Sequence, residues 1–284
     1  MSTGSRDSDA RDGDPMACLS LNQITVNQWS LREAVQGCTD AGIGWIAPWR
    51  NKVADVGLRE AAKLINDHGL GVSSLCRGGM LTGMGPDGPT PDGVEDTCRA
   101  IEEAATLGAD VLVLVVGGVA ERDIRLSRQR VAEALERLVP VAADHGVRLG
   151  LEPLNPMQCA DRSVLSTLAQ ALDQAEPYPA ETVGVIVDEF HVWWDPVIEQ
   201  SIADAAGRIA GFHVCDVLVP IPDPLLARAL PGEGPVDHRH LRSCVEAAGY
   251  TGPIEVEIFN ADLWAKPGDQ ALRDVVASYR THVL

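Results

Sequence analysis

Four residues of this chain carry donor atoms of the kind that hold a divalent cation: Glu152, Asp188, His213 and Glu257. Each stands at or near the end of a short apolar run. Three carboxylates and an imidazole offer oxygen and nitrogen ligands, a set that points to Mn2+ ahead of Mg2+, Co2+ or Zn2+ and away from a thiolate-bound structural zinc. A metal that holds two adjacent oxygens of a hydroxy-ketone acidifies the C–H between them by stabilising the enediolate. Glu152 and Glu257, on opposite sides, would remove and return the proton. That chemistry covers isomerisation, epimerisation, and β-elimination where a leaving hydroxyl is present.

The four can meet only if their strands end at one mouth. The stretch Val183 to His191 sets the pattern: a mostly β-branched run enters Asp188, as in a buried strand of a parallel sheet, and its polar residues sit at the carboxyl end. Further runs of this kind are Ala17–Val26, the stretch from Gly44 to Pro48, Leu70–Cys76, Asp110–Gly118, Val147–Glu152, Ile209–Cys215 and Pro253–Phe259. Helical patterns follow each of them. Ser30 with Glu33 forms a capping box, Asp92 can cap a helix to Leu107, and Ser163–Ala175 reads as helix. Eight strand-then-helix units predict an α/β fold, a single-domain (β/α)8 TIM barrel over residues 17–284. An open doubly wound sheet is the alternative, but no G-x-G-x-x-G fingerprint is present. In the last strand Ile254, Val256 and Ile258 share one face, which turns Glu255 and Glu257 inward.

The mouth should also bind substrate. Arg50, Arg77 and Arg228 would hold oxygens, and Trp29, Trp49, Trp193 and Trp194 would stack on a sugar face. His191, past Asp188, either contacts substrate or packs against Trp193. Cys215 reads as wall, not nucleophile. Loops over 78–91 and 217–237 are long and rich in Gly or Pro, and should border the mouth.

Composition narrows the class. With 41 Asp and Glu against 23 Lys and Arg, the formal charge is −18, which argues against nucleic-acid binding. Seven cysteines without a C-x-x-C pair fit reduced thiols in a cytoplasmic protein. No apolar run approaches the roughly 18 residues of a membrane span. The polar start, residues 1–16, reads as a disordered leader. A small sugar or cyclitol is the expected partner, and a homo-oligomer is compatible with the sequence.

GLEPLNP around Glu152, VIVDEFHVWW with Asp188 and His191, FHVCD with His213, RALPGEGPVD and IEVEIF together resemble the xylose-isomerase-like TIM barrel superfamily of sugar phosphate isomerases and epimerases. The resemblance runs from about residue 17 to 280. It implies a metal held by Glu152, Asp188, His213 and Glu257, a Glu152/Glu257 acid–base pair, and a substrate contact from His191. It also implies an isomerase or epimerase of a keto-sugar. A lyase or dehydratase acting on an inosose or 3-keto-glycoside is the alternative, and a non-catalytic sugar-binding barrel the third. The superfamily's apurinic endonuclease branch carries extra histidines on early strands; here Cys76-Arg77 and Gly117-Gly118 stand there instead.

Overall fold

Short apolar strands alternate with amphipathic helices along this chain, and burying both kinds of apolar face closes the sheet on itself. In the computed structural model, which describes residues 16–284, eight parallel strands form a closed barrel ringed by helices. They are β1 (Leu19–Asn22), β2 (Trp45–Ala47), β3 (Gly71–Gly79), β4 (Ala109–Val115), β5 (Arg148–Leu151), β6 (Val183–Asp188), β7 (Ile209–Val214) and β8 (Ile254–Val256). Each pairs with its sequence neighbours, and β8 returns to β1 with Leu19 opposite Ile254. The fold is the expected single-domain (β/α)8 TIM barrel. The leader expected over residues 1–16 lies outside the described residues up to residue 15; Met16 is buried against the barrel.

Alternation in β8 sets the two layers. Ile254, Val256 and, just beyond, Ile258 are buried in the core between strands and helices. Glu255 and Glu257 point into the barrel, where Asn22 Nδ2 donates to Glu255 at 2.7 Å and to Glu257 at 3.0 Å. Ser73 Oγ at 2.9 Å and Ser74 Oγ at 3.0 Å complete the setting of Glu255. A buried carboxylate costs several kcal/mol unless it is bonded in this way, so Glu255 is affordable only on this polar floor.

Local signals place most helices. Ser30 and Glu33 form the expected capping box ahead of Leu31–Ala41. The helix Gly93–Leu107 begins where expected, although the Asp92 side chain makes no capping bond. The helix expected from Ser163 starts at Leu168 instead. Residues 159–162 form a turn, closed by Arg162 N donating to Gln158 O at 2.9 Å, that is tied to residues 117–119: Gly117 N donates to Arg162 O, Val119 N to Ala160 O and Val164 N to Gly117 O, each at 2.9 Å. Gly118 is required there, because a Cβ on it would lie 2.4 Å from Ala160 O. Thr167 then caps the delayed helix through Gln170 N.

Beyond β7 the long 217–237 loop is held at its base. Asp216–Val217 pairs antiparallel with Arg228–Ala229. The Asp216 carboxylate accepts from the amides of Val217, Gly232, Gly234 and Val236 at 2.8–3.1 Å. Behind it His238 Nε2 lies 3.3 Å from Asp216, and His238 Nδ1 lies 2.6 Å from Glu189. Burial opposes charge on His238, but Asp216 and Glu189 outweigh it and raise its pKa from 6.5 to about 9. Burial likewise raises Glu189 from 4.5 to about 7 despite His238.

Both groups therefore bind protons more tightly folded than unfolded, so both contributions fall as pH rises. The His238 contribution is complete below its unfolded value of 6.5 and gone above its folded value of about 9. Thermal melts of the metal-free protein should lose Tm steadily across that window, and His238→Gln should flatten the loss. A mutant slope equal to wild type would remove His238 as the cause.

Candidate metal centre and active site

Four successive strands deliver the four donors. Glu152 follows β5, its N–H donating to Leu114 O at 3.1 Å. Asp188 ends β6 directly opposite His213 in β7, and Glu257 follows β8 with its N–H on Val214 O at 3.3 Å. One donor atom from each residue lies within 4.8 Å of all the others, and all four residues are buried. His213 Nδ1 is 3.3 Å from Glu152 Oε1, 3.6 Å from Glu257 Oε2 and 3.7 Å from Asp188 Oδ2.

Two of these atoms, Glu152 Oε1 and His213 Nδ1, are buried with no hydrogen-bond partner. Polar atoms are left this way inside a protein only where something else satisfies them. Three anionic oxygens and a ring nitrogen facing one enclosed point fit a divalent cation. On its other side His213 Nε2 faces Glu255 Oε1 at 3.6 Å, above a lower cavity of about 320 Å3 at the amino-terminal end of the barrel.

Arg228 and His191 cover the cluster. Arg228 is 4% exposed, and its Nη1 donates to Asp188 Oδ2 at 2.8 Å and lies 3.2 Å from Glu257 Oε2. Its guanidinium stacks over Phe190 and Phe259, with 4.9 and 5.3 Å to the ring centroids. Burial would raise the Asp188 carboxyl, but Arg228, His191 and His213 outweigh it and hold it well below the usual carboxylate range. For Glu152 burial prevails over the His213 contact, helped by Glu257 and Asp188, and lifts the carboxyl to about 7. His191 is pushed down to about 3, first by burial and then by Arg228 and His213 against the pull of Asp188. It is therefore neutral. Donors face it on both sides, Asn155 N at 3.1 Å from Nδ1 and Arg228 Nη2 at 3.0 Å from Nε2.

A cavity of about 150 Å3 opens over this cluster, walled by Glu152, Glu257, His191 and Arg228 and by Trp49, Phe190 and Phe259. Arg77 lines it too, and it also borders an outer cleft of about 570 Å3. Of the residues expected at the mouth, His191, Arg77, Arg228 and Trp49 are there. Trp49 is fixed by Nε1 donating to Asn22 Oδ1 at 2.8 Å and by an edge contact with Phe259. Cys215, expected as wall, is not among the residues lining the cavity; it is buried in the core behind Arg228, its Sγ 3.6 Å from Arg228 Nη1.

Four others are elsewhere. Arg50 reaches only the outer cleft, because it opens the short helix after β2 and is tied to Asp96 at 2.7 Å and Glu103 at 2.6 Å. Trp29 lies on the barrel's flank, packed where Gly37 and Gly268 leave room for its ring. Neither Trp193 nor Trp194 lines the cavity; Trp193 packs on the core and Trp194 Nε1 donates to His191 O at 2.8 Å. Arg50→Gln is accordingly expected to leave kcat/KM unchanged. Its Tm loss should reflect only the ~0.2–1 kcal/mol of a partly exposed ion pair. A large kinetic defect would put Arg50 back in the substrate site.

The sequence reading missed Asn22, Gln158, Arg162, Phe190 and Phe259. Asn22 and Phe259 end or follow strands β1 and β8, so the strand-end rule that found Glu152 applied to them as well. Gln158 and Arg162 come from the irregular segment after β5 and left no comparable signal.

A sequence model of the xylose isomerase-like TIM barrel family matches residues 35–282. The chain belongs to that family. A 3-dehydroshikimate dehydratase of Pseudomonas aeruginosa is 33% identical over 180 residues, 60% of this chain but only 26% of the dehydratase. The chain thus spans about a quarter of that relative's length. An inosose isomerase of Bacillus subtilis is 23% identical over 198 residues, covering 66% of this chain and 68% of the isomerase. In three dimensions a Sinorhizobium meliloti protein superposes with a TM-score of 0.88 at 42% identity, over 93% of this chain and 98% of its own. The family relatives thus include isomerases and dehydratases. Among the described residues, no helix is long and apolar enough to cross a membrane.

Proposed function

We propose that this protein is a divalent-metal-dependent isomerase or epimerase of a keto-sugar or related polyol ketone. The reading rests on one observation: a four-donor cluster with two unsatisfied buried atoms opens into a small cavity whose wall also presents the Glu152 and Glu257 carboxylates. A cation held by Glu152, Asp188, His213 and Glu257, Mn2+ ahead of Mg2+, Co2+ and Zn2+, would supply Lewis-acid polarisation of substrate oxygens.

The chain's own groups do the rest. Glu152, whose carboxyl is raised by burial toward neutrality, takes the proton from the carbon beside the carbonyl. Glu257 delivers a proton from the other side. Arg228 and His191, in contact with each other at 3.0 Å, line the cavity beside the two glutamates, and Arg228 would donate to a substrate oxygen. Trp49 and Phe259 present an apolar edge to the C–H face of the sugar and keep water out.

A lyase or dehydratase is the second reading, favoured by the 33% identity with the Pseudomonas dehydratase. It shares the proton abstraction and differs in losing a β-hydroxyl. A panel of ketoses, inososes and 3-keto-glycosides, incubated with metal-loaded protein in deuterated water, tests both. Isomerisation conserves mass and introduces deuterium, whereas elimination loses water. Binding with neither exchange nor product would leave only a sugar-binding barrel.

A further inference from the structure

We infer that Arg77 and Arg162 form an anion subsite in this cavity, so that the substrate carries a carboxylate or phosphate on its polyol frame. This deepens the proposed function and rests on the cavity being the substrate site.

Both arginines line the 150 Å3 cavity together with Glu152 and Glu257. Neither guanidinium has a hydrogen bond or ion pair among the described residues. The contrast with their neighbours is sharp. Arg50 is held by Asp96 and Glu103, Arg128 by Val164 O, Arg148 by Ile209 O and Arg228 by Asp188. Asp223, the acid that senses Arg162, instead caps the amides of Leu225 and Leu226 at 2.8 and 2.9 Å. Arg77 and Arg162 also repel each other: after burial, Arg162 is the largest influence disfavouring charge on Arg77. Glu152 across the cavity favours charge on Arg77 but is not bonded to it, and two half-buried cations whose guanidinium groups are bonded to no carboxylate are stabilised by an anion from outside.

The subsite is built, not incidental. Arg162 sits in a turn pinned at both backbone ends, its N donating to Gln158 O and its O accepting from Gly117 N, each at 2.9 Å, and Gly118 beside it leaves no space for a side chain. That pairing is why the following helix starts late. Next to it, Gln158 lines the cavity at 4% exposure; its Oε1 is buried without a hydrogen-bond partner, while Nε2 donates to Pro224 O at 3.1 Å. An orphaned acceptor beside two free donors matches a ligand that offers both a hydroxyl hydrogen and an oxyanion. The chain's net charge of −18 opposes an anion at long range, so such a ligand needs a local pair of this kind. Arg77 borders the outer cleft as well, which puts the anion at the outer end of the substrate and its carbonyl end over Glu152.

The test is calorimetric binding of three ring probes to manganese-loaded protein: quinate (carboxylate), myo-inositol 1-phosphate (phosphate) and myo-inositol (uncharged). At least one anionic probe should bind more tightly than myo-inositol, and the stronger of the two identifies the group. Arg77→Gln and Arg162→Gln should each weaken that probe by roughly ten- to a hundredfold, the worth of a charge-assisted bond, and leave myo-inositol unchanged. Bound manganese, measured by elemental analysis, should stay at the wild-type level. Equal affinity for all three probes, or an anion preference that survives both substitutions, overturns the subsite and leaves the proposed enzyme standing. Failure of every probe to bind metal-loaded protein overturns the subsite and counts against the sugar-enzyme reading itself.

Discussion

Glu152→Gln should lower turnover by roughly 10²- to 10⁴-fold and abolish solvent exchange of the substrate's carbon-bound hydrogen, while the protein still folds and binds metal. The structure makes this the cleaner of the two glutamate substitutions. Glu152 Oε1 has no hydrogen-bond partner, so an amide there disrupts no existing bond. Glu257 is different: Oε1 accepts from Asn22 at 3.0 Å and Oε2 lies 3.2 Å from Arg228. A Gln keeps an oxygen toward only one of them. Glu257→Gln should therefore lose turnover to a similar degree, but with a lower Tm and weaker metal retention. If Glu257 is the proton donor, its Gln variant continues to exchange hydrogen while making little product. Near wild-type turnover in Glu152→Gln with metal bound would sink the assignment of the base.

The second large effect concerns Arg228. It is the cation that sits on Asp188 and Glu257 inside the barrel. Arg228→Met preserves much of its packing on Phe190 and Phe259 but leaves the buried carboxylates without their counter-charge. Removing one partner of a buried pair costs about 3–5 kcal/mol, so the metal-free variant should be destabilised by that order. A divalent cation would replace the missing charge. Urea unfolding in EDTA and in excess manganese should then show a larger metal-induced stabilisation for Arg228→Met than for wild type, since a ligand bound only by the folded state adds stability with its affinity. Equal stabilisation of the two would mean that Arg228 and the metal do not share these carboxylates. Asp188→Asn acts on the same pair. That change removes a metal donor and also strands Arg228, so it should lower Tm as well as bound metal.

The fold and the convergence of four donor residues were legible because burial leaves a strong mark in sequence. Asp188 stands out against the run from Val183 to Val187, and Glu257 against Ile254, Val256 and Ile258; a charge in such a setting has few structural uses. Strand order followed from the repeated strand–helix alternation. The substrate residues were harder to read for a physical reason: a loop has no periodicity, so its sequence does not say where a side chain points. Trp29 and Trp49 are both tryptophans following early strands, yet one packs on the flank under Gly268 and the other stands in the cavity. Arg50 and Arg77 part ways because Asp96 and Glu103, far along the chain, capture only Arg50. Arg162 depended on a backbone pairing with Gly117 that propensity does not encode.

The two-residue ribbon joining Asp216–Val217 to Arg228–Ala229 has an evolutionary reading. It ties off the segment 218–227 at its root, as a stem closes a hairpin. Above the stem, Leu225 contributes to the cavity wall and Pro224 O holds Gln158, while Val219 is 71% exposed. Below it, Arg228 and the Asp216 clasp are fixed to the barrel. Insertions, deletions and substitutions can therefore accumulate in 218–227 and recontour the cover over the ligand without shifting Arg228 from the acidic cluster. A barrel organised this way can vary the rim of its cavity by exchanging one cassette, with the buried acidic cluster inherited intact.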